Sequence, residues 1–327
     1  MKNNAIRKVI TPFFPLLDVL LAPFTILSAV LLKLIRVLRV RHFPVSMFIF
    51  KKVGVFPIRD HYYEPQFNFD QLSRPLTADR SLNGINWNID GQLALINSFV
   101  YRNELSAFPW DKPAGVKPVF YFNNPSFGPG DAEFLYAMIR KFRPGKIIEI
   151  GSGYSTLMAQ AAIDRNRFED PSYSCRHTCI EPYEMPWLES TGVEVVREVV
   201  EKIPLSFFED LNEHDILFID SSHVIRPQGD VLYEFLELLP SIQKGVIVHV
   251  HDIFSPRDYT DLHLKKDVLF WNEQYILEAF LTCNKEFEVL GSLHHLKQKY
   301  PAQLQQVFPY LGQFPAHEPG SFWIRKV

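Results

Sequence analysis

The chain has 327 residues, of which 47% are hydrophobic and 22% charged, with a formal net charge of −3 and three cysteines. That length supports one large α/β domain with extensions or two small domains, and the apolar share supports a sizeable core. The near-neutral charge gives no sign of a basic nucleic-acid footprint, so no nucleic-acid partner is expected. Cys175, Cys179 and Cys283 form neither a disulfide framework nor a metal-ligand spacing, which is consistent with a reducing compartment.

In residues 13–32 nearly every position is apolar and Asp18 carries the only charge, about the length needed to span a bilayer. Lys2, Arg7 and Lys8 precede this run, and Lys33, Arg36, Arg39 and Arg41 follow it; the heavier basic side favours a cytoplasmic body. Pro12, Pro15 and Pro23 keep open a bent, re-entrant or surface-lying segment, and a helix docked on a soluble domain is a further alternative. No small-x-small cleavage site follows the run. Residues 1–42 are therefore expected to associate with a membrane at its cytoplasmic face, through residues 13–35. Residues 43–115 lack a clean period and read as a cap or substrate region, with a helix over 91–105 carrying Leu93, Leu95, Ile96, Phe99 and Val100.

From residue 116 to 327 the pattern alternates. A helix over 130–140, capped by Asp131, leads into a strand at 147–150 and a helix at 155–164. Strands at 177–180, 193–200, 216–219 and 246–250 follow, with helices expected near Trp187, over 205–211 and over 230–239. Then come a helix at 271–281, a strand at 287–290, a helix at 302–311 and a last strand in SFWIRKV. Continuous Ile/Val runs between helices predict a doubly wound, mostly parallel α/β sheet.

In such sheets ligands bind at the carboxyl ends of the strands. Those ends carry Glu149, Gly151, Ser152 and Gly153; Glu181; Asp220, Ser221, Ser222 and His223; and His249, His251 and Asp252. The glycines let backbone approach a ligand, and an acid at the second strand end can accept both ribose hydroxyls. An NAD site would place a third glycine where Thr156 stands. The acid at Glu149 would repel a diphosphate but suits a sulfonium, so S-adenosylmethionine is the expected cofactor. Glu149, Gly151, Ser152, Gly153, Glu181, Asp220 and Ser221 are its expected contacts.

The run E-x-G-x-G resembles motif I of class I S-adenosylmethionine-dependent methyltransferases. From residue 54 onward, GVFPIRDHYYEP, NPSFGPGDAEFLY, IIEIGSG, FIDSSH, VHDIF, WNEQY and SFW occur in the order found in the methyltransferase domain 24 kind, often met beside glycan-assembly enzymes. The resemblance implies a seven-stranded Rossmann-like sheet with a late antiparallel strand, and methylation of a sugar or other hydroxyl in polysaccharide biosynthesis. Asp220, His223, His251 and Asp252 are then the expected catalytic residues.

Asp220 and Asp252, with His251 or His223 nearby, form a candidate Mg²⁺ or Mn²⁺ site, His251 being the first choice, resembling that of catechol-type O-methyltransferases. Those enzymes have an asparagine where Ile253 stands, and the cephalosporin-hydroxylase-like pattern is closer. The metal-free alternative uses His223 or His251 as general base. Asn124, Phe127, Asp131 and Tyr154 are candidates to cover the cofactor. His61, Tyr62, Tyr63, Trp271, Glu273 and Tyr275 are candidates to line an acceptor site, and His294 and His295 are expected at the surface. The alternatives are a hydroxylase-like or NAD-dependent enzyme on the same sheet, and a silent membrane-tethered scaffold.

Overall fold

The computed structural model describes residues 11–115, 117–183 and 185–327. Two compact units divide between Ser73 and Arg74, inside the stretch expected as a cap. In the first unit, helix α1, Phe14–Val37, runs 24 residues and passes through Pro23 without ending. It is long and apolar enough to cross a membrane, and none of its residues is buried. Lys2, Arg7 and Lys8, the expected leading basic residues, lie outside the described residues. After Arg39, at φ 69°, comes helix α2, Pro44–Val53, which stops at Gly54 in the left-handed conformation. The foot of α1 is tied within this unit: Arg36 donates to the Glu64 carboxylate at 2.6–3.1 Å.

The second unit is built on a seven-stranded sheet of order β3-β2-β1-β4-β5-β7-β6. Its strands are β1 Lys146–Ile150, β2 Arg176–Ile180, β3 Glu194–Val196, β4 Ile216–Ile219, β5 Ile247–Val250, β6 Phe287–Ser292 and β7 Phe322–Lys326. β1 to β5 are parallel, while β7 enters antiparallel between β5 and β6. Alternate side chains divide between two cores. Ile147, Phe218, Ile247 and Trp323 face one, with helices α5, Asp131–Phe142, and α6, Tyr154–Glu169. Ile148, Leu217, Val248 and Ile324 face the other, with the helical stretch over 230–241 and the helix Glu273–Leu281. Asp215 holds the lower edge, accepting from the backbone N–H of Lys146 at 2.7 Å and of Asn212 at 2.9 Å.

Several elements differ from expectation for local reasons. The helix expected over 91–105 is two, α3 Ile89–Asn97 and α4 Arg102–Ser106. The break turns Ile96 and Phe99 into the core and leaves Val100 exposed. β3 is three residues long, and single 3-10 turns, Leu188–Ser190 and Leu205–Phe207, replace the flanking helices; Pro186 and Pro204 each remove a helical donor there. The helix expected over 302–311 breaks at Phe308, before Pro309. Helix Leu293–Lys299 was not expected, and it buries His294, contrary to the surface placement. Burial lowers the His294 pKa to about 4, so it packs as a neutral ring. His295 is half-buried against Trp87, with ring centroids 5.1 Å apart.

Gly130, not Asp131, caps α5. Asp131 instead accepts from the Ser321 N–H at 2.8 Å. Buried Glu133 accepts three backbone N–H groups, from Gly130 at 2.9 Å, Tyr310 at 2.7 Å and Leu311 at 3.0 Å. It thereby ties the start of α5 to the helix Pro309–Gln313. In Glu133→Gln one amide orientation or the other must face an N–H donor, at a cost of about 1.5–3 kcal/mol. A fall in melting temperature of about 3 °C or more is expected by calorimetry, and an unchanged melting temperature would remove Glu133 from this role.

Candidate active site

Glu181, Asp220, His223, His251 and Asp252 each stand at a strand end or in the loop that follows one. The turn after β1 begins at Gly151, φ +74°, where an added Cβ would lie 1.8 Å from the carbonyl oxygen of Asp220. No side chain fits there, so the turn lies directly against the end of β4. The Asp220 N–H donates to the Ile150 carbonyl at 2.8 Å, and the Gly151 N–H to Ile180 at 3.0 Å. Three strand ends are thereby locked into one rim.

A cavity of about 400 Å³ opens above that rim, within the size range of small-molecule sites. Gly151, Ser152, Gly153, Glu181, Asp220 and Ser221 line it, as do Phe127 and Tyr154. Glu181 is held in place from below, accepting from the Ser152 N–H at 3.2 Å and the Tyr183 N–H at 2.9 Å. The Tyr154 hydroxyl lies 3.1 Å from that of Tyr121. Asn124 does not line the cavity; it braces the preceding loop, donating to the carbonyls of Tyr121 and Phe127 at 2.8 Å. Asp131 sits behind the site on Ser321.

Glu149 departs from its expected place. It is buried and absent from the cavity wall. Its carboxylate accepts from the Thr156 hydroxyl at 2.6 Å and lies 3.1 Å from His177 Nε2 and 3.4 Å from Cys179 Sγ. Thr156 in turn accepts the Gly153 N–H at 3.1 Å. Glu149 therefore pins the glycine turn from inside, through the residue that replaces a third glycine, and is not part of the cavity lining. Cys179 is a packing thiol, pushed up above its ordinary range by burial and by the Glu149 charge.

The second part of the site joins β4 to β5. His223 Nε2 lies 3.3 Å from Asp220 and 3.6 Å from Asp252, while Nδ1 lies 2.7 Å from fully buried Glu273. Burial opposes charge on His223, but Asp220 and Glu273 prevail and hold its pKa well above the usual imidazole range. Burial also opposes charge on Asp220, yet His251 and His223 keep its pKa low. Behind them Ser221 donates to Glu234 at 3.0 Å, and burial with the Glu273 and Asp230 charges drives the Glu234 pKa well up. His223 and Asp252 both have positive φ, 61° and 55°, an uncommon backbone region that concentrates at functional sites.

Among the described residues, Asp220, His223 and Asp252 bring donor atoms within 4.8 Å of one another. Of the two histidines expected near these aspartates, His223 rather than His251 joins this donor set. His251 is buried, 3.8 Å from Asp252 on its other side. His249 is core: its ring lies 4.1 Å from Phe218 and 4.6 Å from Trp323, and burial keeps it neutral.

Trp271 packs against His223 and His263, with centroids 4.4 and 5.0 Å away. Tyr275 turns away toward Asp258 at 3.2 Å. His61, Tyr62 and Tyr63 belong to the other unit. The sequence reading passed over Arg226, Asp230 and Met185, which line the cavity. Asp230 is the first residue of its helix and accepts from the Ser222 N–H and hydroxyl at 2.9 and 2.7 Å; an acid opening a helix was the available signal.

A family described as a methyltransferase domain matches residues 148–253, the span from β1 to the end of β5 that carries both halves of the site. The chain belongs to the class I S-adenosylmethionine-dependent methyltransferases. An uncharacterized protein of Archaeoglobus fulgidus is 31% identical over 181 residues, covering 51% of this chain and 78% of that protein. The O-methyltransferase of Bacillus cereus, solved in complex with SAH, aligns at 14% identity and a TM-score of 0.38, over 72% of this chain and 90% of that one. As a methyltransferase of this class the protein uses S-adenosylmethionine. The cavity fits that group in size, in its bare glycine floor and in the carboxylate of Glu181 presented on its wall.

Glu149 and Glu181 should separate by experiment. Glu181→Ala removes a charged acceptor from the cavity wall and is expected to weaken S-adenosylhomocysteine binding by about one to two powers of ten. Glu149→Ala strands buried donors and is expected to lower stability by about 1–3 kcal/mol. Calorimetry on both variants checks this, and equal loss of affinity without loss of stability in Glu149→Ala would restore Glu149 to the cofactor.

Proposed function

We propose that the protein methylates a hydroxyl of a sugar or similar acceptor in glycan assembly, at the cytoplasmic face of a membrane in which α1 lies. The observation that carries this reading is the double position of Asp220. It lines the cofactor cavity and also meets His223 at 3.3 Å, so the proton-handling cluster adjoins the place where a methyl group would be delivered.

S-adenosylmethionine supplies an electrophilic methyl carbon on a sulfonium. Glu181 accepts from the ribose hydroxyls, and the 151–153 turn offers backbone close to the ligand. The acceptor oxygen must lose its proton as it attacks, and the cluster of Asp220, His223 and Asp252 is built to receive it. Glu273 fixes the ring, because a carboxylate on Nδ1 leaves Nε2 directed at the two aspartates.

The same three residues could hold a divalent cation. The fit rests on the donor set itself: two aspartates and an imidazole in reach of one another, with a further acid, Glu273, behind the ring. A cation there would favour the alkoxide form of the acceptor. An imidazole in the set suits manganese better than magnesium. The half-buried Trp271 ring beside His223 is a surface on which a sugar ring can stack. The glycan assignment is supported by the resemblance to glycan-associated relatives.

Incubation with methyl-labelled S-adenosylmethionine and a membrane glycolipid fraction is expected to label hydroxyl-linked methyl groups. Asp220→Asn should lower that turnover by about 10²–10⁴-fold. Label appearing on nitrogen or carbon instead would overturn the O-methylation reading. In a separate titration, Mn²⁺ is expected to bind the wild-type chain at one site that Asp252→Asn removes, with S-adenosylhomocysteine affinity preserved. The absence of Mn²⁺ heat in the wild type would leave the cluster acting without a metal.

A further inference from the structure

Beyond α1, the first unit carries a concentration of positive charge that the catalytic reading does not use. Residues 19–59 contain seven Lys or Arg and no Asp or Glu. Two of these, Arg36 and Arg59, are engaged by Glu64 at 2.6 and 3.5 Å. The other five, Lys33, Arg39, Arg41, Lys51 and Lys52, are exposed and form no ion pair among the described residues.

Helix α2 shares this charge with an apolar face. Phe50 turns inward, 6.1 Å from Phe56, and is buried. Val45, Phe48, Ile49 and Val53 point outward and are exposed, Phe48 by 64%. Lys52 lies over the Phe48 ring at 5.9 Å, so its stem covers apolar surface while its ammonium can reach outward. The Arg36–Glu64 pair also brings the turn holding Tyr62 and Tyr63 to the foot of α1. Those two rings are 83% and 81% exposed and 4.2 Å apart, and tyrosine is enriched at the water–lipid boundary.

We infer that α2, with its flanking basic residues and the Tyr62–Tyr63 turn, is a second membrane contact: an interfacial helix that binds the surface of an anionic phospholipid bilayer. The inference rests on the reading that α1 lies in the bilayer. An apolar arc and lysines on one short helix, directly after a bilayer-length helix, match a lipid boundary. A nucleic acid would reward the charge but not the exposed Phe48 and Ile49.

The test uses the full chain with Cys283→Ser, since Cys283 is the one exposed cysteine. Spin labels are placed at Leu27→Cys on α1 or Phe48→Cys on α2. The protein is reconstituted in bilayers of phosphatidylcholine alone, or with added phosphatidylglycerol. The Leu27 label is expected in lipid in both. The Phe48 label should move from water-accessible to lipid-accessible only with phosphatidylglycerol, and should return when salt is raised. Neutralising Lys51 and Lys52 as glutamines should lower the bound-to-free ratio of α2 on the anionic bilayer by roughly five-fold per charge, about 25-fold together.

A Leu27 label in lipid with a Phe48 label indifferent to lipid charge would overturn the surface assignment alone. A water-exposed Leu27 label with Phe48 still buried on anionic lipid would sink the bilayer reading of α1 and leave α2 standing as a peripheral contact. Tighter binding to a DNA duplex than to the anionic bilayer would overturn the lipid assignment.

Discussion

The bare Cα of Gly151 against the carbonyl of Asp220 is the contact on which the site depends. Without it the turn after β1 could not rest on the end of β4, and the cofactor cavity would not share a wall with the catalytic cluster. The two halves of the chemistry are joined by one backbone approach that only glycine permits. Around that approach, Thr156 and Glu149 brace the turn from inside the sheet, and Glu181 is steadied by the Ser152 and Tyr183 amides. The polar groups beneath the rim serve rigidity, and those above it are left to meet ligand.

Electrostatics explains why the cluster needs so many buried acids. An imidazole taken out of water resists charge, and each carboxylate does too. Placed together, Asp220 and Glu273 hold the His223 pKa well up, while His251 and His223 hold that of Asp220 down. For buried Glu234, burial and the Glu273 and Asp230 charges drive the pKa up. His223 and Asp252 both hold positive φ, so two strained backbone positions coincide with this charge.

Much of this was legible in the sequence, and the exceptions share a cause. The apolar runs revealed β1, β4 and β5, because strands buried on both faces leave a nearly continuous apolar record. Glu181, Asp220 and Asp252 followed from the rule that ligands meet strand ends. Glu149 misled because a strand residue alternates faces: its type and position suited a ligand, but its side chain enters the layer under α6, where Thr156 and His177 wait. The choice between His251 and His223 was open in the sequence for a similar reason. Only the three-dimensional path of the loop after β4, with His223 at φ 61°, brings that ring between the two aspartates. The lost helices near Trp187 and over 205–211 were signalled by Pro186 and Pro204, which outweighed a weak apolar period.

The strand order has a consequence for how such a chain comes into being. β6 has no neighbour except β7, and β7 is the last strand to be synthesised. Until Phe322–Lys326 leaves the ribosome, β5 shows an unpaired edge and β6 has nowhere to dock, while α1 emerged long before. A nascent chain would therefore wait with a half-finished sheet, in need of a chaperone or of speed, with two sticky edges open until β7 arrives.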